Sequence, residues 1–293
     1  MDRLLNVIKM DIYRLMTSLS FKVCIILVFI QNFIFGPLTK IIFYLARKIT
    51  LNSDMTEQEV DELFGVWSRD FHVGNAIASQ LGGICTIIFL LCVVFFSYSD
   101  IQHGYIKNIA GQLPRRSYTV ISKFTVMQLT MLIFYGVSVF ANTLGQLICG
   151  QRLRFDMVFP GELDVETFTF GPDRVFSIWH SFAEFGVKIL LLSCMCALIL
   201  LLTTGLGSNV AGTIAAVVVG AGFTGAAYMA ASLAVSRLFR LEDFSFSDYM
   251  PDSLYRSDLI ADGGMIRGII AAILTAAILL FVTIKLYDKR EIK

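Results

Sequence analysis

The chain has 293 residues, of which 56% are apolar and only 16% are charged. Soluble domains are roughly 45–50% apolar and about 25% charged, so the composition excludes an ordinary soluble enzyme and a disordered chain. A formal net charge of +1 excludes the strongly basic surface that nucleic-acid binding requires. The sequence therefore predicts a polytopic membrane protein.

The first segment, residues 1–20, is predicted to be an amphipathic helix in the membrane interface. Its apolar residues recur at helical spacing on one face. They are Leu4, Leu5, Ile8, Ile12, Leu15 and Met16, and the charged residues are Asp2, Arg3, Lys9, Asp11 and Arg14.

Uncharged runs at 23–39, 73–99, 124–151, 189–236 and 268–284 predict membrane spans. The first can continue past Lys40, whose side chain can reach the interface. The fourth is too long for one helix, and its segment 203–209 predicts a turn that divides it. Spans must be helical because lipid offers the backbone no hydrogen-bond partners. The predicted fold is an all-α polytopic membrane protein with six transmembrane helices, at about 22–46, 74–99, 120–147, 182–203, 209–236 and 266–287.

The distribution of basic residues predicts the orientation. The segments 1–22, 100–123, 203–209 and 285–293 hold half of the 24 Lys and Arg residues, at nearly twice the density of the other connecting segments. Basic residues in short loops near span ends mark the cytoplasmic side. Both termini are therefore predicted to be cytoplasmic, and the outer loops are 47–73, 148–181 and 237–265.

No catalytic, cofactor or metal site is predicted in this chain. The sequence has no P-loop, and its three histidines lie in different loops. Residues 220–225 match G-x-G-x-x-G, but they lie within an uncharged span. Small residues there are more typical of close helix packing. They are Gly212, Ala216, Gly220 and Ala227.

Polar residues inside the spans are candidates for a pathway lining or for hydrogen bonds between helices, and the second interpretation is favoured. They are Gln31, Asn32, Gln80, Gln128, Asn142 and Gln146. Glu184 and Lys188 are four residues apart and are predicted to pair on one helix face.

The loop 100–118, between the second and third spans, has a distinctive layout. An acid (Asp100) is followed by Gly104, a short helix-like stretch, a Pro-Arg-Arg turn at 114–116 and Lys123 at the start of the next span. This layout resembles the first intracellular loop of the permease subunits of ATP-binding-cassette exporters of the second type. The amphipathic N-terminus, the six spans and the size agree, although Asp100 stands where glutamate is commoner in that family.

The resemblance implies a permease subunit of an ATP-driven exporter in the bacterial cytoplasmic membrane. It implies a second permease chain, alike or homologous, and separate ATPase subunits that bind ATP and Mg²⁺. The loop would contain a cytoplasmic coupling helix that docks on the ATPase. The residues expected to couple are Asp100, Gln102, His103, Gly104, Tyr105, Ile106, Lys107, Ile109, Pro114, Arg115 and Arg116.

Two other classes stay open: a secondary transporter or another polytopic protein without an ATPase partner, and an intramembrane enzyme. Secondary transporters usually show inverted repeats and intramembrane charges, and the sequence shows no internal repeat. The exported substrate, the choice between homodimer and heterodimer and a re-entrant course of the last outer loop are not determined by the sequence.

Overall fold

The computed structural model describes residues 2–51, 70–79, 81–102, 117–159, 163–164, 169–170, 174–239, 245–260 and 263–289. Its α-helices are α1 (Asp2–Thr17), α2 (Leu19–Leu51), α3 (Val73–Ser79), α4 (Ile84–Gln102), α5 (Ser117–Ile148), α6 (Ile178–Leu200), α7 (Asn209–Ala221), α8 (Thr224–Phe239), α9 (Pro251–Arg256) and α10 (Met265–Lys289). Its strands are β1 (Asp70–His72), β2 (Arg152–Arg154), β3 (Asp156–Phe159), β4 (Leu163–Asp164), β5 (Thr169–Phe170) and β6 (Arg174–Ser177).

Four continuous helical segments of the described chain are long and apolar enough to cross a membrane. Two bent pairs, α3 with α4 and α7 with α8, raise the number to six if each pair is one span. The four segments are Leu19–Thr50, Ser117–Ile148, Ile178–Gly205 and Met265–Lys289. The chain is thus mostly helical, with four to six candidate membrane-spanning helices.

Helices occur in all six ranges that the sequence predicts as spans, but most of them begin and end at residues other than the predicted ones. α2 continues past Lys40 to Leu51, and the Lys40 ammonium donates to the Cys149 carbonyl oxygen at 2.6 Å. A single π-helical turn, Leu201–Gly205, ends the α6 segment where the sequence predicts a turn. Ser208 then begins α7, since its hydroxyl oxygen accepts a hydrogen bond from the Ala211 amide at 3.2 Å. The predicted spans 74–99 and 209–236 differ most, because each is two helices and not one.

The chain divides into two compact units. The first comprises Met1–Ile25, Leu81–Phe134 and Ala183–Lys293. Its core contains fully buried aromatic and aliphatic side chains of α4, α5 and α6, among them Phe89, Phe134 and Leu191. The rings of Phe89 and Phe134 meet edge to face at a centroid distance of 5.4 Å. Such contacts stabilise a helix bundle by dispersion and by the aromatic quadrupoles.

The second unit comprises Ile26–Gln80 and Tyr135–Phe182 and contains short strands that the sequence did not predict. β1 pairs with β2 in parallel, and β3 pairs with β6 antiparallel. Arg154 Nε lies 2.8 Å from Asp70 Oδ2 across the first pair, and His72 contacts Asp156. The Asn75 amide both donates to and accepts from the Val158 backbone, which fixes α3 against β3. Strands of two to four residues are at or below the shortest length at which a period-two pattern is recognisable.

The bend between α7 and α8 measures 80° and follows from one glycine. Gly222 ends α7 with φ of +81°, a left-handed conformation that favours glycine. The short helix α9 supports both sides of the bend. Arg256 Nη2 donates to the Val219 and Gly220 carbonyl oxygens at 2.6 and 2.8 Å, and Asp252 accepts from Thr224 and from the Tyr228 hydroxyl.

Replacing Arg256 by methionine should destabilise this bend, because the last carbonyls of α7 lose a cationic donor. We expect the free energy of unfolding to fall by about 1–2 kcal/mol, somewhat less than is usual for hydrogen bonds to a charged group, because Arg256 is exposed. Denaturant titration in mixed micelles measures it. Arg267→Met, an exposed arginine at the start of α10, is the matched control and should change stability little. Equal effects of the two substitutions would contradict a supporting role for Arg256.

Candidate functional site

The predicted coupling loop is flanked by the end of α4 at Gln102 and the start of α5 at Ser117. Asp100 and Gln102 fall in the last turn of α4, and the Gln102 side chain is exposed. The remaining predicted coupling residues lie outside the described residues. They are His103, Gly104, Tyr105, Ile106, Lys107, Ile109, Pro114, Arg115 and Arg116. The structure does describe the helix ends on both sides of this loop and their contacts.

Lys123, in the second turn of α5, joins that helix to the end of α4. Its side chain is 1% exposed, and its ammonium lies 3.2 Å from the Ser97 carbonyl oxygen and 3.4 Å from that of Phe96. The same nitrogen lies 4.9 Å from the centroid of the Phe96 ring. A buried ammonium is costly unless acceptors surround it, so these contacts hold the two helix ends at a fixed spacing.

Asp11 makes the second connection, from α1 to α5. It is 1% exposed, and its Oδ2 accepts a hydrogen bond from the Ser122 hydroxyl at 2.5 Å. Arg14 Nη1 lies 3.6 Å from Asp11 Oδ1, one turn further along α1. The hydrogen bond from Ser122 to the Asp11 carboxylate is charge-assisted, and such bonds are stronger than neutral ones. Since Ser122 and Lys123 are adjacent, one turn of α5 is fixed to both α1 and α4.

The three linked elements form one candidate site, the loop frame, defined by Asp11, Ser122, Lys123, Phe96 and Ser97. The sequence interpretation counted Asp11 only among the charges of an interfacial helix. A signal for its burial was present, because Asp11 is four residues after Val7 and four before Leu15, which are both buried. An acid in the middle of an apolar stripe indicates a buried partner on another element.

Of the candidate pathway amides that the structure describes, Gln128 belongs to the first unit and the other four belong to the second. In the first unit, Gln128 Oε1 accepts from the Ser193 hydroxyl at 2.6 Å, which links α5 to α6. Gln80 lies outside the described residues. Gln128 therefore takes part in helix packing.

The other four amides belong to the second unit. Gln146 packs so closely on Gly36 that an added Cβ there would lie 2.9 Å from the Gln146 amide group, and its nitrogen is 3.5 Å from Asn142 Oδ1. Asn32 donates to the Val28 carbonyl oxygen of its own helix at 2.8 Å, and Gln31 is half-buried. The approach of Gln146 to Gly36 fits packing of α5 against α2 better than a lining, and its contact with Asn142 lies within α5.

The predicted Glu184–Lys188 pair is confirmed. Lys188 Nζ lies 2.8 Å from Glu184 Oε1, and the two side chains are 6% and 0% exposed. The pair is on α6, within the core of the first unit. A buried ion pair needs both partners, because either charge alone is strongly disfavoured there.

Close helix packing at the small residues is also confirmed for three of the four. Ala216 is fully buried. A Cβ added at Gly212 would lie 2.4 Å from Thr203 Cγ2, and one added at Gly220 would lie 2.8 Å from Ile87 Cγ1. Ala227 is exposed in the part of the chain that the structure describes. The α7 helix thus lies directly against α4, the helix that leads into the loop.

Comparison with known proteins gives no further assignment: no family model, no curated protein and no solved structure matches the chain.

Proposed function

We propose that this chain is the membrane-spanning permease subunit of an ATP-driven exporter of the ATP-binding-cassette type. In this proposal two permease chains form the translocation pathway, and separate ATPase subunits dock on the loop after the second span. The chain itself hydrolyses nothing. It lies in the cytoplasmic membrane of a bacterium with both termini in the cytoplasm.

The observation that carries the proposal is the loop frame. If the loop is to transmit force, the helices that flank it must move together and not independently. The buried contacts of Lys123 with Phe96 and Ser97 tie α5 to the end of α4, and the Asp11–Ser122 bond ties α5 to α1. Movement of residues 103–116 would then be passed to three helices together, as hinge and rigid-body transitions require.

The proposed roles of the loop residues follow from their chemistry. Tyr105, Ile106 and Ile109 would pack in an apolar cleft of the ATPase, and His103, Lys107 and Arg115 would lie at its rim. ATP-driven closure of the ATPase dimer would move the loop and switch the pathway between inward and outward opening. Differential binding of the ATPase to the two states is what drives such a switch.

Charge reversal in the loop tests the proposal. When the chain is co-expressed with an ATPase that carries a P-loop and an LSGGQ-like signature, Arg115→Glu with Arg116→Glu should reduce ATPase co-purification about tenfold or more. Long-range attraction and rim contacts are both lost. Measured quantities are the ATPase-to-permease ratio after affinity purification and ATP hydrolysis by the complex.

The matched control reverses two exposed arginines in the predicted outer loops, Arg152→Glu with Arg237→Glu, and should leave the ratio unchanged. Monodisperse variant protein in detergent establishes that folding is intact. If the loop variant keeps the ATPase and its stimulation, the docking assignment is wrong. A wild-type chain that retains no ATPase and still transports would instead indicate a secondary transporter.

A further inference from the structure

A cavity of about 340 Å³ lies where α1 meets α2, beside the last turns of α4. All of its lining residues belong to the first unit. The volume is at the lower end of the range for small-molecule sites. Gln102, the last described residue before the loop, lines the cavity together with Phe96 of the loop frame, so an occupant would touch the frame.

The walls of the cavity are of two kinds. One part is apolar, with Leu15, Phe21, Phe95 and Phe96. The other part carries Arg14, the one charged side chain among the described lining residues, together with the Gln102 amide and Ser20. Neither a purely polar solute nor a plain hydrocarbon matches both parts. An amphiphile with an anionic head matches both.

Arg14 is suited to receive the head. A guanidinium has five N–H donors in a planar fork, so it can hold Asp11 at 3.6 Å and also donate into the cavity. Its side chain is 22% exposed, so the group lies at the boundary between the buried Asp11 and the open space. Guanidinium forks favour phosphate oxygens, which accept two parallel hydrogen bonds.

We propose that this cavity is a binding site for the phosphate head of an anionic membrane lipid, with the glycerol and the first acyl carbons against Leu15, Phe21 and Phe95. The tail would leave the cavity along the start of α2, where the exposed Val23 continues the apolar surface. Binding at this cavity requires no ATPase, so it stands or fails independently of the proposed transport function.

Native mass spectrometry of the purified full chain in detergent tests the site. The probes are dioctanoyl phosphatidic acid, dioctanoylglycerol, which has the same tails without the phosphate, and inorganic phosphate. We expect saturable binding of one phosphatidic acid per chain. Dioctanoylglycerol should bind with an affinity that is lower by about tenfold or more. Inorganic phosphate should not displace the lipid at equal concentration. Displacement by phosphate alone would overturn the lipid assignment, and equal binding of dioctanoylglycerol would overturn the role of the head.

Two variants locate the binding in the cavity. Arg14→Gln should weaken phosphatidic acid binding about tenfold, since a charge-assisted pair is lost. Ser20→Leu should weaken it by narrowing the cavity while the Asp11–Arg14 pair stays intact, so it remains informative if Arg14→Gln does not fold. Lys9→Gln removes an exposed cation from the same helix outside the cavity and should change binding less than about twofold. Unchanged binding in Ser20→Leu, or equal losses in Lys9→Gln and Arg14→Gln, would place the lipid elsewhere.

Discussion

Replacing Asp11 by alanine should lower the free energy of unfolding by about 3 kcal/mol, because the buried Ser122 hydroxyl loses its acceptor and the Arg14 guanidinium loses the negative charge 3.6 Å away. Asp11 is 1% exposed, so its hydrogen bond with Ser122 is shielded from water. Denaturant titration in mixed micelles measures the change. Under the proposed function, ATPase stimulation should fall as well, because α1 is no longer fixed to α5.

The control for Asp11 is Asp288→Ala, which removes an exposed carboxylate at the end of α10 and should have little effect on stability. A double-mutant cycle of Asp11→Ala with Ser122→Ala isolates the pair, and we expect a coupling energy of about 1–2 kcal/mol. A coupling energy indistinguishable from zero would show that the bond between α1 and α5 does not stabilise the fold.

Gly220→Ala should separate α7 from α4. A Cβ at this position would lie 2.8 Å from Ile87 Cγ1, 3.0 Å from Ile87 Cα and 3.2 Å from the Ile87 nitrogen. The first atom can move with its side chain, but the other two belong to the backbone of a packed helix. We expect a loss of about 1–3 kcal/mol for alanine, measured by the same titration, and failure to fold for Gly220→Leu.

Gly225→Ala is the matched glycine control, since an added Cβ there meets nothing within 4 Å. It lies in the first turn of α8, where alanine should be neutral or slightly stabilising. Adding Ile87→Ala to Gly220→Ala should rescue only part of the loss, because Ile87 Cα and nitrogen remain. Full rescue would mean that a side chain and not the backbone limits the approach of the helices.

Much of the fold is readable from the sequence because membrane helices are a local consequence of hydrophobicity. A run of about 20 apolar residues suffices to span the bilayer and must satisfy its own backbone hydrogen bonds. The turn at 203–209, the continuation of α2 past Lys40 and the Glu184–Lys188 pair are local in the same sense. Each depends on residues within one or two helical turns.

The loop frame is not local. Asp11 and Ser122 are 111 positions apart, and Lys123 reaches carbonyl oxygens 26 and 27 positions before it. A helical pattern indicates that a face is buried, but not which face of another helix covers it. The bend at Gly222 is similar, because Arg256 and Asp252, which support it, come from a helix after the predicted span. The short strands of the second unit also depend on pairing between distant segments.

The sequence by itself therefore determined that this is a mostly helical chain with helices apolar and long enough to span a membrane, where those helices lie and which loop is chemically distinctive. Only the tertiary structure decided which buried charges meet, where a helix pair bends and that a cavity lined by Arg14 lies beside the end of α4. The reason is that transfer of a helix into lipid is a sum over its own residues, whereas pairing of buried polar groups depends on which helix surfaces face each other.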